Sequence, residues 1–234
     1  MKNLIANPAI FWCTNAIANN FTTQQDFGGH MLNRDYLLPG IAAGLLAIIF
    51  PMYWISVFGE TLDGLGEALK LDLQSLNFSD LVFVLIGALE IYVYLSLRKA
   101  LKDMFDVEGV RILLCVLAVL VLAFHATVLC DVYLAVAGDK ASSDVVESIS
   151  IIAMVVSAGS LGLYALVGLI TAALLLTKRH GMSSLLTVFS ILLLLMCILQ
   201  LTVIFAYLNV FLFPAALLIL MVFFIKKPEQ IEVV

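Results

Sequence analysis

Long apolar blocks separated by short polar segments dominate the chain. A transmembrane helix needs about 20 predominantly apolar residues, because a helix of that length crosses the hydrocarbon core of a bilayer. Five blocks satisfy this requirement: about 37–58, 80–98, 112–137, 148–177 and 183–225. Helices that are apolar on nearly every face are typical of segments surrounded by lipid. The pattern therefore predicts an all-α, polytopic transmembrane helical bundle.

The last block, 183–225, is too long for one span. A single helix of its 43 uncharged residues would be about 65 Å long, roughly twice the thickness of the hydrocarbon core. Asn209 and Pro214 lie near its middle, and proline is tolerated in the first turn of a helix. We therefore predict a hairpin of two spans, near 184–206 and 210–226, which brings the total to six.

Composition supports the same class of protein. Of the 234 residues, 63% are apolar and 12% are charged, and the mean hydropathy is +1.12. A soluble globular chain has about 45–50% apolar and about 25% charged residues. The net charge of −5 comes without a clustered basic patch, which argues against a nucleic-acid partner. The lipid bilayer is thus the first partner that the sequence predicts.

Basic residues set the predicted orientation. With six spans, ten of the 12 lysines and arginines fall on one side of the membrane, and Lys70 and Lys140 fall on the other side with eight acids. Lysine and arginine are retained on the cytoplasmic side, whereas acids have little influence. Both termini are therefore predicted to be cytoplasmic. A model with five spans would move Lys226 and Lys227 outside and weaken this asymmetry.

The remaining segments are short. We divide the chain into a cytoplasmic N-terminal segment, 1–36, a six-span bundle, 37–227, and a cytoplasmic tail, 228–234. The N-terminal segment is open to two interpretations, an interfacial helix or a disordered or partner-docked tail. On the outer face, leucines spaced by three and four residues predict an amphipathic helix in the membrane interface: Leu62, Leu65, Leu69, Leu73 and Leu76. The compact loops favour a bacterial inner membrane.

One acidic side chain, Glu90, lies in the middle of the second span. It is eight residues from Arg98 and ten from Asp80, hence about 12 Å and about 15 Å from the two ends of the span. A charge at this depth costs about 2.5–3.5 kcal/mol on insertion scales, so the side chain is expected to face protein or water, or to be protonated. An ionisable residue placed in this way is by default a functional-site hypothesis.

His125 is the predicted neighbour of Glu90. It lies 14 residues from both Arg111 and Asp139, which places it at the same depth in the next span. An imidazole and a carboxylate at one depth can share a proton. We therefore expect a direct or water-bridged contact between the two side chains.

Further polar residues extend this pair. Tyr94 follows Glu90 on one face of the second span, the fourth span carries a stripe of small and polar residues, and the fifth span has a glutamine in its outer part. Stripes of this kind let helices pack closely, and they can also line a solute path. The resulting polar seam, as we call it, consists of Glu90, Tyr94, His125, Ser157, Ser160, Tyr164 and Gln200.

Two functions remain open on this pattern. The first is a channel- or transporter-like protein, expected to form homo-oligomers, that moves an ion, a proton or a small solute along the seam. The alternative is a membrane-anchoring or sensing subunit of a multiprotein assembly, such as one in defence, secretion or signalling, that binds a cytoplasmic partner. An intramembrane enzyme is less favoured, because the chain carries no HExxH, GxSxG, P-loop or dinucleotide-binding motif. No catalytic residue, cofactor or metal is predicted, since Glu90 and His125 are two ligands short of a closed zinc shell.

Overall fold

The computed structural model describes residues 36–57, 76–104, 108–138, 141–178, 182–202 and 204–226. Within these ranges all regular structure is helical, and six helices are long and apolar enough to cross a membrane. The predicted all-helical bundle with six candidate spans is thereby confirmed. Three predicted features lie outside the described residues: the N-terminal segment up to residue 35, the leucine-rich stretch at 62–75 and the tail at 228–234.

The helices follow one another in chain order. They are α1 (Tyr36–Val57), α2 (Phe78–Met104), α3 (Glu108–His125), α4 (Val128–Ala137), α5 (Ser143–Thr177), α6 (Ser184–Leu201) and α7 (Asn209–Ile225). A turn at Ala126 and Thr127 separates α3 from α4, and these two helices together make the third candidate span.

The predicted break in the last apolar block occurs between α6 and α7. A short 3-10 helix at Ala206–Leu208 makes part of the turn, and α7 begins at Asn209. Pro214 lies inside α7 rather than in its first turn. Because proline has no N–H, the helix gives up the hydrogen bond that position 214 would donate to the carbonyl of Val210.

Most of the extensive helix contacts join sequence neighbours, and α3 also packs against α5. The extensive contacts join α2 with α3, α3 with α5, α5 with α6, and α6 with α7. α1 packs against α7, where Gly40 and Gly44 lie against the side chains of Ile225 and Met221. Small residues allow such close approach, which matters in lipid because burial of apolar surface gives little driving force there.

The bundle has a tightly packed core between Glu90 and one of its two ends. We call the end at which Arg98, Lys102, Arg111, Lys178 and Lys226 lie the basic end. Between Glu90 and this end, α2, α3, α5 and α6 contribute leucines with no exposed surface: Leu97, Leu101, Leu114, Leu175 and Leu186. Interiors packed in this way leave few voids larger than a water molecule. The core therefore separates Glu90 from the basic end.

Replacement of Gly168 by alanine is expected to destabilise the contact between α5 and α6. The added Cβ would lie 2.6 Å from Sγ of the buried Cys197, and overpacking of this kind costs about 1–3 kcal/mol. Gly162 in the same helix provides the matched control, because a Cβ there meets nothing within 4 Å. Gly162→Ala is expected to keep or raise stability. Thermal unfolding in detergent compares the two variants, and equal midpoints would contradict the predicted contact.

Candidate functional site

A cavity of about 520 Å³ lies in the half of the bundle away from the basic end. It extends from Glu90, near the middle of α2, to Trp54 near the end of α1 and to Ile204 and Tyr207 in the turn between α6 and α7. Apolar and aromatic side chains form most of its wall. The polar side chains in the wall are Glu90, His125, Ser160, Tyr164, Gln200, Tyr207 and Asn209.

Among the described residues, Glu90 is the one acid in the wall of this cavity. It is only 7% exposed, and the Tyr164 hydroxyl donates a long hydrogen bond of 3.4 Å to its Oε1. The hydroxyl of Tyr94, one turn further along α2, is hydrogen-bonded to the hydroxyl of Tyr164. An ion pair joins Arg111 to Glu108 at the basic end. The carboxyl of Glu90 thus has the phenols of Tyr94 and Tyr164 as neighbours and no ion-pair partner among the described residues.

His125 is held in place by its own helix and by α2. Its Nδ1 lies 2.9 Å from the carbonyl oxygen of Val121, and its ring packs on Phe83 with ring centroids 4.4 Å apart. A carbonyl only accepts hydrogen bonds, so Nδ1 carries the hydrogen and Nε2 of the neutral ring is an acceptor. Gly87 makes room for the imidazole, because a Cβ there would lie 2.7 Å from its Cδ2.

Asn209, at the start of α7, contributes an unpaired acceptor. Its Nδ2 donates to the carbonyl oxygen of Met196, at 3.1 Å, and to Oε1 of Gln200, at 3.0 Å. The carbonyl of Met196 fixes the orientation of the amide, because it accepts hydrogen bonds and cannot donate them. Oδ1 of Asn209 is buried and has no hydrogen-bond partner among the described residues. Such a group carries a free-energy penalty until a donor reaches it.

Five of the seven seam residues line this one cavity: Glu90, His125, Ser160, Tyr164 and Gln200. Tyr94 lies behind the wall, where it borders a small adjoining void together with Glu90. Ser157 is half-buried and is not part of the wall. The hydrogen bonds described for Glu90 and His125 go to different partners, Tyr164 and Val121, rather than to each other.

Two features of the wall are not among the residues predicted from the sequence. The first is Asn209, which the sequence pattern predicts only as part of a turn; it and Gln200 are polar side chains inside an uncharged block, which is a signal for a buried polar pair. The second feature is the set of aromatic rings from four helices that line the cavity: Phe50, Trp54, Phe124, Tyr164 and Phe213. Aromatic residues in apolar spans carry no periodic signal that separates a cavity wall from a lipid-facing surface.

The chemistry available at this site is that of one carboxyl group in an apolar cavity. Among the described residues no group of three or more histidine, cysteine, aspartate and glutamate side chains is arranged to hold a metal ion. The acceptors come from three helices: Glu90 from α2, Nε2 of His125 from α3 and Oδ1 of Asn209 from α7. The site is therefore suited to hold a proton or a solute that donates hydrogen bonds.

Comparison with known protein families, with curated proteins and with solved structures found no match for this chain. The fold alone therefore defines the class: a helical bundle with six helices long and apolar enough to span a membrane, as an integral membrane protein requires.

Proposed function

We propose that this chain is a non-enzymatic, channel- or transporter-like membrane protein that moves a proton, an ion or a small solute through the cavity at Glu90. The observation that carries the proposal is the buried carboxyl in the wall of a cavity of about 520 Å³. A carboxylate at mid-depth in a bilayer is costly unless water, a proton or a cation compensates its charge. A carboxyl needed only for packing would be sealed among side chains, whereas Glu90, beside the phenols of Tyr94 and Tyr164, also lines the wall of the cavity.

The proposed pathway is open toward one side at a time. The cavity reaches the end of the bundle opposite the basic end. The core around Leu97 and Leu114 fills the space between Glu90 and the basic end. A solute held at Glu90 would pass to the basic end only after these helices rearrange. Transporters that expose one central site alternately to the two sides work in this way.

The proposal includes an orientation. If lysine and arginine mark the cytoplasmic side, the basic end and both termini are cytoplasmic and the cavity opens outward. We further propose that the membrane is a bacterial inner membrane and that the protein assembles with further copies of itself. The N-terminal segment, 1–36, and the tail, 228–234, then flank the six-span bundle, 37–227, on the cytoplasmic side.

Reconstitution of the purified full-length chain into liposomes tests the proposed function. Vesicles loaded with a pH-sensitive dye, or with a potassium- or sodium-sensitive one, receive a gradient of the corresponding ion. We expect the vesicles with protein to dissipate at least one of these gradients faster than protein-free vesicles of the same lipid. Vesicles that contain folded protein and remain as tight as the empty ones would contradict the proposal for these ions.

The second candidate function is that of an anchoring or sensing subunit that binds a cytoplasmic partner. One observation favours it: α2 continues past Arg98 to Met104, and the exposed side chain of Lys102 lies on this extension. The Tyr36 hydroxyl donates to Asp103 at 2.7 Å and so ties the extension to α1. A protein that co-purifies in a fixed ratio, together with tight liposomes, would favour this candidate.

A further inference from the structure

We propose that the cavity binds an amphipathic organic ammonium ion, meaning a protonated primary or secondary amine carried on an apolar or aromatic body. This inference rests on the proposed function, because it names the class of solute that the cavity would admit. The size of the cavity, the charge of its wall and its free acceptors each support it.

The size and the wall suit an organic molecule. Small-molecule sites have volumes of about 300–1,000 Å³ and are lined mainly by apolar and aromatic side chains with a few placed polar groups. The cavity measures about 520 Å³, and Phe50, Trp54, Phe124 and Phe213 contribute rings to it. Hard metal ions prefer six or more oxygen ligands or a retained water shell. A wall of this composition does not offer them.

The charge of the wall suits a cation. Of the lining residues that the structure describes, Glu90 is the one acid and none is a lysine or an arginine. An anionic solute would face this carboxyl without a compensating cation. A neutral solute would leave the carboxylate uncompensated, whereas an ammonium group forms a charge-assisted hydrogen bond with it. Aromatic rings near a cation add a further attraction.

The free acceptors suit a cation that carries N–H groups. Oδ1 of Asn209 is buried and meets no donor in the part of the chain that the structure describes, and its amide nitrogen is already engaged with Met196 and Gln200. Nε2 of His125 is an acceptor because Nδ1 donates to the Val121 carbonyl. A primary or secondary ammonium has donors for such groups. A quaternary ammonium has the charge but no donor, so it matches the cavity less well.

Four probes with one carbon skeleton separate these contributions. They are 4-phenylbutylammonium, the neutral 4-phenylbutanol, the anion 4-phenylbutyrate and trimethyl(4-phenylbutyl)ammonium. Binding to the full-length chain in detergent is followed by tryptophan fluorescence in the Trp12→Phe background, which leaves Trp54 in the cavity wall as the reporter. We expect the primary ammonium to bind about tenfold tighter than the alcohol, the quaternary ion to bind more weakly than the primary one, and the carboxylate to bind weakest.

Glu90→Gln identifies the group that recognises the charge. In this variant the ammonium and the alcohol are expected to differ by no more than about twofold, since the charge-assisted hydrogen bond is gone. Glu147→Gln, the same change at an exposed acid of α5, is expected to leave the preference intact. Equal binding of ammonium and alcohol to the unmodified cavity, or a preference that survives in Glu90→Gln, would overturn the inference and indicate an apolar pocket for lipid chains.

The experiments distinguish a failure of the proposed transport function from a failure of the proposed ligand class. Glu90-dependent binding of the ammonium to a protein whose liposomes stay tight to protons, inorganic cations and this amine would keep the site and refute transport. Proton flux through a protein that does not prefer the ammonium over the alcohol would keep transport and refute the ligand class.

Discussion

Replacement of Glu90 by glutamine is expected to reduce flux through the reconstituted protein by about tenfold or more, the factor that corresponds to losing one charge-assisted hydrogen bond. Glutamine has nearly the same shape as glutamate, and its Oε1 can still accept the hydrogen bond from Tyr164 that lies at 3.4 Å in the structure. It cannot take up or release a proton and cannot neutralise a cation. The measurement is the initial rate of gradient dissipation in liposomes with matched amounts of protein.

The same variant is expected to be at least as stable as the original protein. Glu90 is buried without a described cation nearby, and a charge at such depth costs about 2.5–3.5 kcal/mol on insertion scales. An uncharged amide removes this penalty. The midpoint of thermal unfolding in detergent should therefore stay constant or rise. A gain in stability together with a loss of activity is the behaviour of a residue kept for function.

Two further variants make this prediction specific. Glu90→Asp keeps the charge but withdraws the carboxylate from Tyr164, so its flux should fall between those of the original protein and of Glu90→Gln. Glu147→Gln changes an exposed acid in the first turns of α5 and should leave the flux unchanged. Undiminished flux in Glu90→Gln would show that Glu90 is not part of the pathway. A lowered unfolding midpoint would show that Glu90 serves packing.

The number of candidate spans could be predicted from the sequence because hydrocarbon thickness sets a minimum length of apolar chain. Helix ends were harder to predict where a helix leaves the apolar region. The fourth span was predicted from residue 148, whereas α5 begins at Ser143. Once a helix is nucleated, polar residues such as Asp144 and Glu147 extend it at little cost. An apolar window does not detect that extension.

The depth of the site in the membrane could be predicted from the sequence, but the helices that its side chains face could not. Glu90 and His125 were placed at one level by counting residues, and both line the same cavity. Their lateral partners depend on which helices meet: Glu90 faces Tyr164 of α5, and His125 bonds to Val121 of its own helix. A helix that is apolar on every face has no polar side to indicate its neighbours. Asn209 was missed for the same reason, since its role arises from the geometry of a turn.

Gly87→Ala is expected to be the most disruptive single methyl group that can be added near the site. Its Cβ would lie 2.7 Å from Cδ2 and 2.8 Å from Nδ1 of His125. The ring cannot yield easily, because it is bonded to the Val121 carbonyl at 2.9 Å and packed on Phe83 at 4.4 Å between ring centroids. Either α2 and α3 separate or the ring leaves its place, at a cost of about 1–3 kcal/mol.

A double-mutant cycle tests whether this contact is the cause. His125→Ala alone loses the packing of a buried ring, but it also opens the space that the new methyl needs. The double variant, Gly87→Ala with His125→Ala, should therefore lose less free energy of unfolding than the two single variants lose together. The difference is a coupling energy of about 0.5–3 kcal/mol. Gly109→Ala, at a position where a Cβ meets nothing within 4 Å, controls for the general effect of alanine. Unfolding in detergent supplies the free energies. Additive losses would mean that Gly87 does not set the position of the imidazole, and the wall of the cavity at His125 would then need another explanation.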